Sequence, residues 1–390
     1  MSGYKVLFVS PFPPHRSGIS EFGGQLIGAF ARVSGAEVSV LGDGGPRPGE
    51  EWSADRRIRI RRAWGFNRWT SGPRILRWIW RERPDVVWFN LIYSAFGDRR
   101  VPALLGFLAP YMARRAGFIT AITLHHLMDF IDLSRTRFES SPWLTRWGSG
   151  LAHRLLFRSS AVFLPLEKYA AHARRRFPKA TVLKMPLGFP RPAGCRSNLQ
   201  GSRLLVMGRF GSYKRLDGCL ETLRRVRARI PAATMAIAGL SHYSQPGYYE
   251  EFATRHEGEA GVEFLGYVPE EKLGEVLAGA DLMVLNHSTT TGASAVALLA
   301  ACHGLPVVSP ALPDLLAMEQ EEGIAFERYA PGDAEGAASA IVGLFDDRWR
   351  LRALADRNYA AAQANSIDDV ARRYDGFFRE RLGLASPPQS

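Results

Sequence analysis

The sequence predicts an α/β protein of two domains, each built on a parallel sheet wound by helices. The length of 390 residues is about two to three times that of a common single domain. Short apolar strands alternate with helical spacing of apolar residues through both halves of the chain. A segment rich in Pro and Gly, 186–194, separates the two repeats of this pattern. Each half is therefore expected to form a Rossmann-like domain.

The predicted elements follow the same order in both halves. In the first half, strands are expected at Lys5–Ser10, Glu37–Leu41, Val86–Asn90, Phe118–Leu124, Ala161–Leu164 and Thr181–Leu183, with helices at Phe22–Val33 and Arg74–Arg83. In the second half, strands are expected at Arg203–Met207, Thr234–Ala238, Val262–Leu265, Leu282–Leu285 and Pro306–Val308, with helices at Leu216–Arg229, Glu270–Ala278, Ala295–His303 and Ala334–Phe345.

These elements predict the domain organisation. We expect an N-terminal domain at 1–190, a linker at 191–201 and a C-terminal domain at 202–372. A C-terminal helix and tail, 373–390, can cross back to the N-terminal domain. Because open parallel sheets bind ligands at the carboxyl ends of their strands, we expect a binding site in a central cleft that both domains face.

Composition narrows the class of protein. A hydrophobic content of 46% and a charged content of 23% are typical of a folded chain. Cys195, Cys219 and Cys302 are too few and too scattered for a disulfide framework or a metal cluster. The first residues resemble a strand rather than a signal peptide, and the longest apolar stretch, 101–112, is shorter than the roughly 20 residues that span a bilayer. We expect a cytoplasmic protein.

The net charge of +12 is shared unequally between the halves. Residues 1–195 carry 30 Lys and Arg against 13 Asp and Glu, whereas residues 196–390 carry 20 against 25. A basic half can attract nucleic acid, an anionic membrane or a phosphate-bearing substrate. The sequence has no zinc finger, RNA-binding aromatic motif or basic recognition helix, so we expect no nucleic-acid partner.

Two loops after predicted strands carry groups suited to anions. The first, residues 11–20, includes Gly18 and opens a helix whose amides could approach a phosphate or a sugar. The second follows the strand that begins the C-terminal domain and carries Arg209 and Lys214, which could both reach one diphosphate. Each loop also has a plain alternative, an ordinary turn for the first and solvated charges for the second.

These loops belong to an ordered series of motifs that resembles the retaining glycosyltransferases of family four, which adopt the GT-B fold. The series comprises Pro13–Ile19, Pro84–Val87, Thr123–His125, Gly208–Arg209 with Lys214, Ala238–Gly239, Val262–Pro269, Ala280–Asp281 and Gly304–Val308. The resemblance implies that Arg209 and Lys214 hold the donor diphosphate and that the Gly18 loop lies against the phosphates and the sugar. It implies a catalytic position for His125 beside the transferred sugar. A buried structural histidine is the alternative for His125.

The chain departs from this family where two glutamates eight positions apart are usual. The corresponding residues are Thr291 and Leu299, and a leucine cannot accept hydrogen bonds from a ribose hydroxyl as a carboxylate does. The hydroxyls and amides of the preceding loop could contact the donor instead. The residues proposed for this role are Thr290, Thr291, Gly292, Ala293 and Ser294. The alternative is a Ser/Thr helix cap without a ligand.

Arginine and tryptophan interleave in 61–69 and 74–81. Such segments suit a membrane interface, where an indole ring is half buried and an arginine meets lipid phosphate. The alternative is a helix that packs its tryptophans on the sheet. We therefore expect a protein that can bind peripherally to the inner face of the cytoplasmic membrane.

The function that these features predict is retaining transfer of a sugar from a nucleoside-diphosphate sugar to a glycan or a polyprenyl-linked acceptor. We expect the nucleotide sugar as a substrate and neither a cofactor nor a metal, because no Asp-x-Asp pair or His/Cys cluster occurs at ligand spacing. Two alternatives remain at this point. One is a non-catalytic scaffold that lost the acidic pair, and the other is a sugar-nucleotide epimerase of the same fold.

Overall fold

A computed structural model shows the chain as two compact units. Unit 1 combines Met1–Leu187 with Ile367–Ser390, and unit 2 is Gly188–Ser366. The structure describes residues 3–15, 17–44, 50–130, 142–190, 197–242, 244–290 and 292–385. The predicted boundary at 372 divides one continuous helix, Ile367–Leu382, which belongs to unit 1. The predicted end of the first domain at 190 lies three residues after Leu187, and unit 2 begins at Gly188 rather than at the predicted 202.

The described residues of unit 1 form an eight-stranded sheet flanked by helices. Its strands are β1 (Lys5–Ser10), β2 (Glu37–Asp43), β3 (Glu50–Trp52), β4 (Ile58–Trp64), β5 (Val86–Leu91), β6 (Ile119–Leu124), β7 (Ala161–Leu164) and β8 (Val182–Lys184). Its helices are α1 (Gly18–Val33), α2 (Ser71–Glu82), α3 (Arg100–Arg115), α4 (Pro142–Leu156) and α5 (Glu167–Arg176), and the C-terminal helix, α13 below, joins them. The strand order is β3-β4-β2-β1-β5-β6-β7-β8, and only β3 pairs in the antiparallel sense.

Unit 2 repeats the architecture with a six-stranded parallel sheet. Its strands are β9 (Arg203–Phe210), β10 (Thr234–Ser241), β11 (Val262–Gly266), β12 (Leu282–Val284), β13 (Val307–Pro310) and β14 (Glu327–Tyr329). Its helices are α6 (Leu216–Arg229), α7 (Tyr248–Arg255), α8 (Glu270–Ala278), α9 (Ala295–Cys302), α10 (Pro313–Glu322), α11 (Ala334–Asp346) and α12 (Arg348–Ala364), and α13 (Ile367–Leu382) follows in unit 1. The strand order is β11-β10-β9-β12-β13-β14.

The predicted fold class, two parallel-sheet α/β domains, is confirmed. One predicted strand is too short, and the difference concerns candidate site residues. Strand β9 continues to Phe210 and contains Gly208 and Arg209, which the sequence prediction places beyond the strand end. The longer strand results from continuous pairing with β10, which matches Gly208 to Gly239 and Arg209 to Leu240.

Strand β4 is absent from the sequence prediction because its arginines hide the apolar alternation. Ile58 and Ile60 point into the core, while Arg59 and Arg61 lie on the other face and both bind the carboxylate of Glu82 at the end of α2. The acidic partner is distant in sequence, so the local pattern reads as a basic loop. Part of the Arg/Trp segment is therefore a paired strand.

Trp88 of β5 is the centre of the unit 1 core. Its fully buried ring lies 5.3 Å from Phe30 of α1, 4.3 Å from Tyr374 and 5.3 Å from Phe378 of α13, measured between ring centroids. The indole N–H donates to Thr123 Oγ1 at 2.9 Å, so the polar atom of this large ring is satisfied. These contacts hold the C-terminal helix on the first sheet.

The two loops that carry the anion-binding motifs follow the central strands of their sheets. Strand β1 lies between β2 and β5, and β9 lies between β10 and β12. In each unit the chain order changes direction at that strand, which is where open α/β sheets leave space for a ligand at the carboxyl edge. Each loop therefore occupies the switch point of its own unit.

His153 of α4 is a buried histidine without a polar partner. Neither ring nitrogen has a hydrogen bond among the described residues, and the ring lies 5.2 Å from that of Tyr93. Burial lowers the pKa of His153 to about 4, against an opposing effect of Asp129. The folded chain therefore holds this side chain neutral.

We expect His153→Phe to stabilise unit 1 and to weaken its acid sensitivity. Between pH 6.5 and 4 the unfolded chain binds a proton at His153 that the folded chain does not, so this residue lowers stability as the pH falls through that window. Removing two unsatisfied buried nitrogens should raise the free energy of unfolding by about 1–3 kcal/mol at pH 8. The gain should widen by about 2 kcal/mol at pH 5. Denaturant titrations at both pH values measure this, and an equal gain at pH 8 and pH 5 would contradict the assignment.

Candidate functional site

The loop after β1 is held in place by two residues of neighbouring strands. Asp43, at the end of β2, accepts the backbone N–H of Phe12 at 2.8 Å and contacts the His15 ring. Arg62 of β4 donates to the carbonyl oxygens of Phe12 and Pro13. The loop thus has a fixed path into the exposed Gly18, where α1 begins with its first amides at the carboxyl edge.

A hydrogen-bonded chain connects the predicted histidine to this loop. His125 follows β6, and its Nε2 lies 2.6 Å from Oδ1 of Asn90 at the end of β5. Asn90 Nδ2 donates to Ser10 Oγ at 3.0 Å and to the carbonyl of Ile19 at 3.3 Å. The Ser10 hydroxyl in turn donates to the carbonyl of Pro11 at 2.7 Å. Every donor in the chain points one way, which assigns the proton of His125 to Nε2.

His125 is neutral in this environment. Burial, with a smaller contribution from His126, lowers the pKa of His125 to about 3. Phe22 of α1 packs edge-on against the ring, with 5.0 Å between centroids. With its proton on Nε2, the ring presents Nδ1 as a hydrogen-bond acceptor, and it is not a proton donor near neutral pH.

Gly23 allows α1 to approach the sheet closely at this point. A Cβ atom there would lie 2.7 Å from Ser10 Oγ and 2.9 Å from Asn90 Nδ2. Any larger residue would separate the helix from the two side chains that orient His125. Gly23 therefore lets Ser10 and Asn90 lie directly against the first helix.

In unit 2, Lys214 lies against the backbone of the central strand. It ends a short 3₁₀ turn, Ser212–Lys214, and its ammonium is 3.5 Å from the carbonyl of Met207. Gly208 has φ 135°, and a Cβ there would be 2.5 Å from Lys214 Nζ. The Tyr213 hydroxyl donates to the Arg209 carbonyl at 3.0 Å and so joins the turn to the strand. Gly208 thus provides the space that the buried cation occupies.

The loop after β12 packs against the same turn. The backbone N–H of Ser288 donates to the Tyr213 carbonyl at 2.8 Å. Gly292 donates its N–H to Asp314 Oδ2 at 2.9 Å, and Ser294 accepts from Ala297 N at 3.3 Å as the N-cap of α9. Ser294 is therefore a helix cap in this structure, and its contact with a donor stays a prediction.

The other residues predicted for this loop have different positions. Thr290 and Ala293 are half-buried, as is Leu299 on α9, while Thr291 lies outside the described residues. A Cβ at Gly208 would lie 3.7 Å from Val296, so the first turn of α9 is a neighbour of Lys214. The structure brings Lys214, the Ser288 loop and the start of α9 together.

The pKa values of two histidines are lowered by burial and by the nearby positive charge. Burial, then Arg209 and Lys214, lower the pKa of His242 to about 4. Burial and Lys214 place the pKa of His287 well below its ordinary value. Both rings are therefore neutral, and the charge of the site comes from the two cations and from the amides at the start of α9.

Sequence reasoning missed four residues that shape these edges: Ser10, Asp43, Asn90 and Asp314. All four are buried polar residues at strand ends or at a helix start. The sequence signal that could have identified them is a polar residue at the end of an otherwise apolar strand. Asn90, next to last in Val86–Leu91, is an example. Their roles become visible only with their partners.

Comparison with protein families matches both halves of the chain. Residues 17–188 match the model described as "Glycosyl transferase 4-like domain", and residues 201–347 match "Glycosyl transferases group 1". The chain is also 29% identical over 171 residues to a glycogen synthase of Mycobacterium tuberculosis, a match that covers 43% of this chain. The matched region spans only 39% of that relative's length.

Solved structures share the fold over nearly the whole chain. Sucrose-phosphate synthase from Thermosynechococcus elongatus matches with a TM-score of 0.76 at 16% identity, covering 97% of this chain and 99% of that one. The Anabaena protein HepE, solved in complex with UDP and glucose, matches with a TM-score of 0.69 at 16% identity, covering 97% and 100%. These matches show that the chain has the GT-B fold. The two family models, which together cover most of the chain, show that it belongs to the family-four-like glycosyltransferases.

Proposed function

We propose that the protein transfers a sugar from a nucleoside-diphosphate sugar to a glycan or lipid-linked acceptor, with retention at the anomeric carbon. The acceptor class suggests a place in cell-surface polysaccharide or glycolipid synthesis. The observation that carries the proposal is Lys214, a buried ammonium at the switch point of unit 2.

Lys214 is 9% exposed, and burial lowers its pKa to about 8. Among the described residues no carboxylate forms an ion pair with it, and a buried charge without a partner is destabilising. The α9 N-terminus beside it also favours an anion. An anionic ligand would relieve this cost. Arg209, whose carbonyl accepts a hydrogen bond from Tyr213 of the 3₁₀ turn, supplies a second cation.

In the proposed reaction the bond between the anomeric carbon and the diphosphate oxygen breaks, and the acceptor oxygen bonds to the same face of that carbon while its hydroxyl proton passes to the departing diphosphate oxygen. Negative charge then collects on the leaving diphosphate. Arg209, Lys214 and the amides of α9 would stabilise it, and such pre-positioned charge is a large contribution to catalysis. We propose that these groups suffice without a metal or a cofactor.

His125 would orient the sugar rather than transfer a proton. It is neutral and its Nε2 is engaged by Asn90, so Nδ1 can accept a hydrogen bond from a sugar hydroxyl. The exposed Gly18 at the start of α1 would lie beside the same ligand. For the donor ribose, the half-buried Thr290 and the amides of Gly292 and Ala293 would replace the usual carboxylate.

A membrane-bound acceptor is supported by the surface of α2. Ile75 and Ile79 face the core, whereas Trp80 is 51% exposed and Trp69, in the loop before the helix, is 69% exposed. Arg74, Arg77 and Arg81 are exposed on the same helix. Trp78 instead packs against the guanidinium groups of Arg61 and Arg81, which lie 4.6 and 5.0 Å from its ring centroid, so only part of the predicted segment is available to lipid. No described helix is long and apolar enough to cross a membrane. We propose peripheral docking through α2.

Replacing Lys214 with Ala should weaken binding of a nucleoside diphosphate about ten- to hundredfold, since a charge-assisted contact contributes about 1.5–3 kcal/mol. The affinity of the unmodified chain should fall as the pH rises from 7 to 9, because Lys214 loses its proton above its pKa of about 8. The variant should lack this pH dependence. Calorimetry with UDP, GDP, ADP and dTDP measures the effect and identifies the base.

Lys272→Ala removes an exposed lysine from the same unit and should leave nucleotide affinity unchanged. Equal affinity in all three proteins would rule out Lys214 as the diphosphate contact. With the preferred donor, NMR of the first-formed product reports retention, and activity that EDTA abolishes would contradict the metal-independent mechanism.

Replacing Gly208 with Ala should impair nucleotide binding through Lys214. The added methyl group would displace the ammonium, and φ 135° is unfavourable for alanine, with a stability loss of about 1–3 kcal/mol. Gly343→Ala is the control, because that helical glycine has open space around it and should tolerate alanine. Calorimetry and thermal unfolding separate the two effects. A Gly208→Ala chain that binds nucleotide normally would show that Lys214 does not need its present position.

The α2 surface should bind vesicles that contain anionic lipid and should release them as salt rises. Each basic residue near such a surface contributes about 1 kcal/mol, so replacing Arg74, Arg77 and Arg81 with Ser should reduce co-sedimentation at least tenfold. Replacing Arg229, Arg255 and Arg352, which are exposed in unit 2, removes the same charge and is the control. Equal loss in both triple variants, or equal binding to neutral vesicles, would exclude docking through α2.

A further inference from the structure

Unit 1 contains a large basic cavity at the edge of its sheet opposite to His125. Its volume is about 910 Å³, and it lies at the amino ends of β6, β7 and β8, where Ile119, Ser160 and Thr181 line it. His125 follows the carboxyl end of β6. A six-residue strand is about 20 Å long, so the cavity is separate from the carboxyl-edge site.

Six cations are among the described residues that line this cavity, and no acidic residue is among them. The cations are Arg114, Arg154, Arg158, Arg176, Lys179 and Arg381. Four of them lie in the last turns of the helices α3, α4, α5 and α13. The carboxyl end of a helix carries about half a negative charge, so four ends offset about two of the six positive charges. Asp129 offsets a further one through its ion pair with Arg176. Among the residues that the structure describes, about three positive charges around this recess therefore have no compensating negative charge.

A buried hydroxyl in the wall has no partner. Ser159 is 8% exposed, it lines the cavity, and its Oγ has no hydrogen bond among the described residues. An unsatisfied buried hydroxyl is destabilising unless a ligand completes it. Hydroxyls and guanidinium groups together are a common set of phosphate ligands.

The shape and the lining favour a small molecule over a lipid surface. The volume is in the range of small-molecule sites, and the stacked rings of Phe157 and Phe177, 4.4 Å apart, provide an apolar wall. Among the described side chains of unit 1, none of the exposed large apolar ones lines the cavity, so these residues do not give it the exposed aromatic side chains that mark a membrane interface. A recess with excess positive charge suits several phosphate groups on one compact ligand.

We propose that this cavity binds a small molecule that carries two or more phosphate groups, at a site separate from the donor and acceptor positions of the proposed transfer. Arg114, Arg154 and Arg158 bind its phosphates, Ser159 donates to a phosphate oxygen, and Phe177 contacts its apolar part.

The test uses inorganic tripolyphosphate and the full chain carrying Lys214→Ala, so that the donor site contributes little. Calorimetry at low salt should detect binding at one site, and replacing Arg114 and Arg154 with Ser should weaken it at least about tenfold. Ser159→Ala should also weaken binding without lowering the melting temperature. The matched control replaces Arg115 and Arg175, exposed neighbours on α3 and α5 that do not line the cavity, and should change affinity less than about twofold.

Three outcomes would overturn the proposal. Tripolyphosphate fails to bind, both double variants lose affinity equally, or the cavity variants lose binding to anionic vesicles while tripolyphosphate affinity is unchanged. The last result would assign these cations to membrane docking. Because sugar transfer is not measured and Lys214 is already removed, failure here is distinct from failure of the proposed transferase reaction.

Discussion

Parallel pairing of the strands is the constraint on which the candidate site of each unit depends. When every strand runs in one direction, all carboxyl ends lie at one edge, and every loop that leaves them can meet the same ligand. The central strands β1 and β9 add the second requirement, because the chain order reverses beside them. The Gly18 loop and the Lys214 turn therefore lie where their sheets leave space. The family membership of the chain is consistent with this shared plan.

The switch points of the two units differ in whether their buried polar groups have partners. In unit 1, Asn90 has partners for its carbonyl and its amide, and the chain from His125 to Ser10 is complete without a ligand. In unit 2, Lys214 is buried beside a glycine without a carboxylate partner among the described residues. A complete network is rigid and positions a group in advance, whereas an uncompensated charge is relieved when an anion binds.

The strong positive charge of the first half is divided between structurally different surfaces. Some arginines are internal to the fold, as Arg59 and Arg61 are with Glu82, and Arg62 is with the loop after β1. Those of α2 lie beside exposed tryptophan on one helix, and those at the ends of four helices line a recess. Arginine residues thus stabilise the fold, form a proposed lipid contact and form a proposed phosphate site. The net charge alone does not distinguish these three roles.

The sequence by itself determined the α/β class, most buried strands, the two loops at the carboxyl edges and the family. These features depend on local periodicity and on short motifs, which neighbouring residues specify. Strand β4, the place of α13 in unit 1, the orientation of His125 by Asn90, and the burial of Lys214 over Gly208 were decided by tertiary structure. Asn90 and His125 are 35 residues apart, and Trp88 and Tyr374 are joined only because α13 packs on the first sheet. Contacts of this kind depend on strand order and on helix packing, and no local pattern in the chain encodes which distant side chain will complete them.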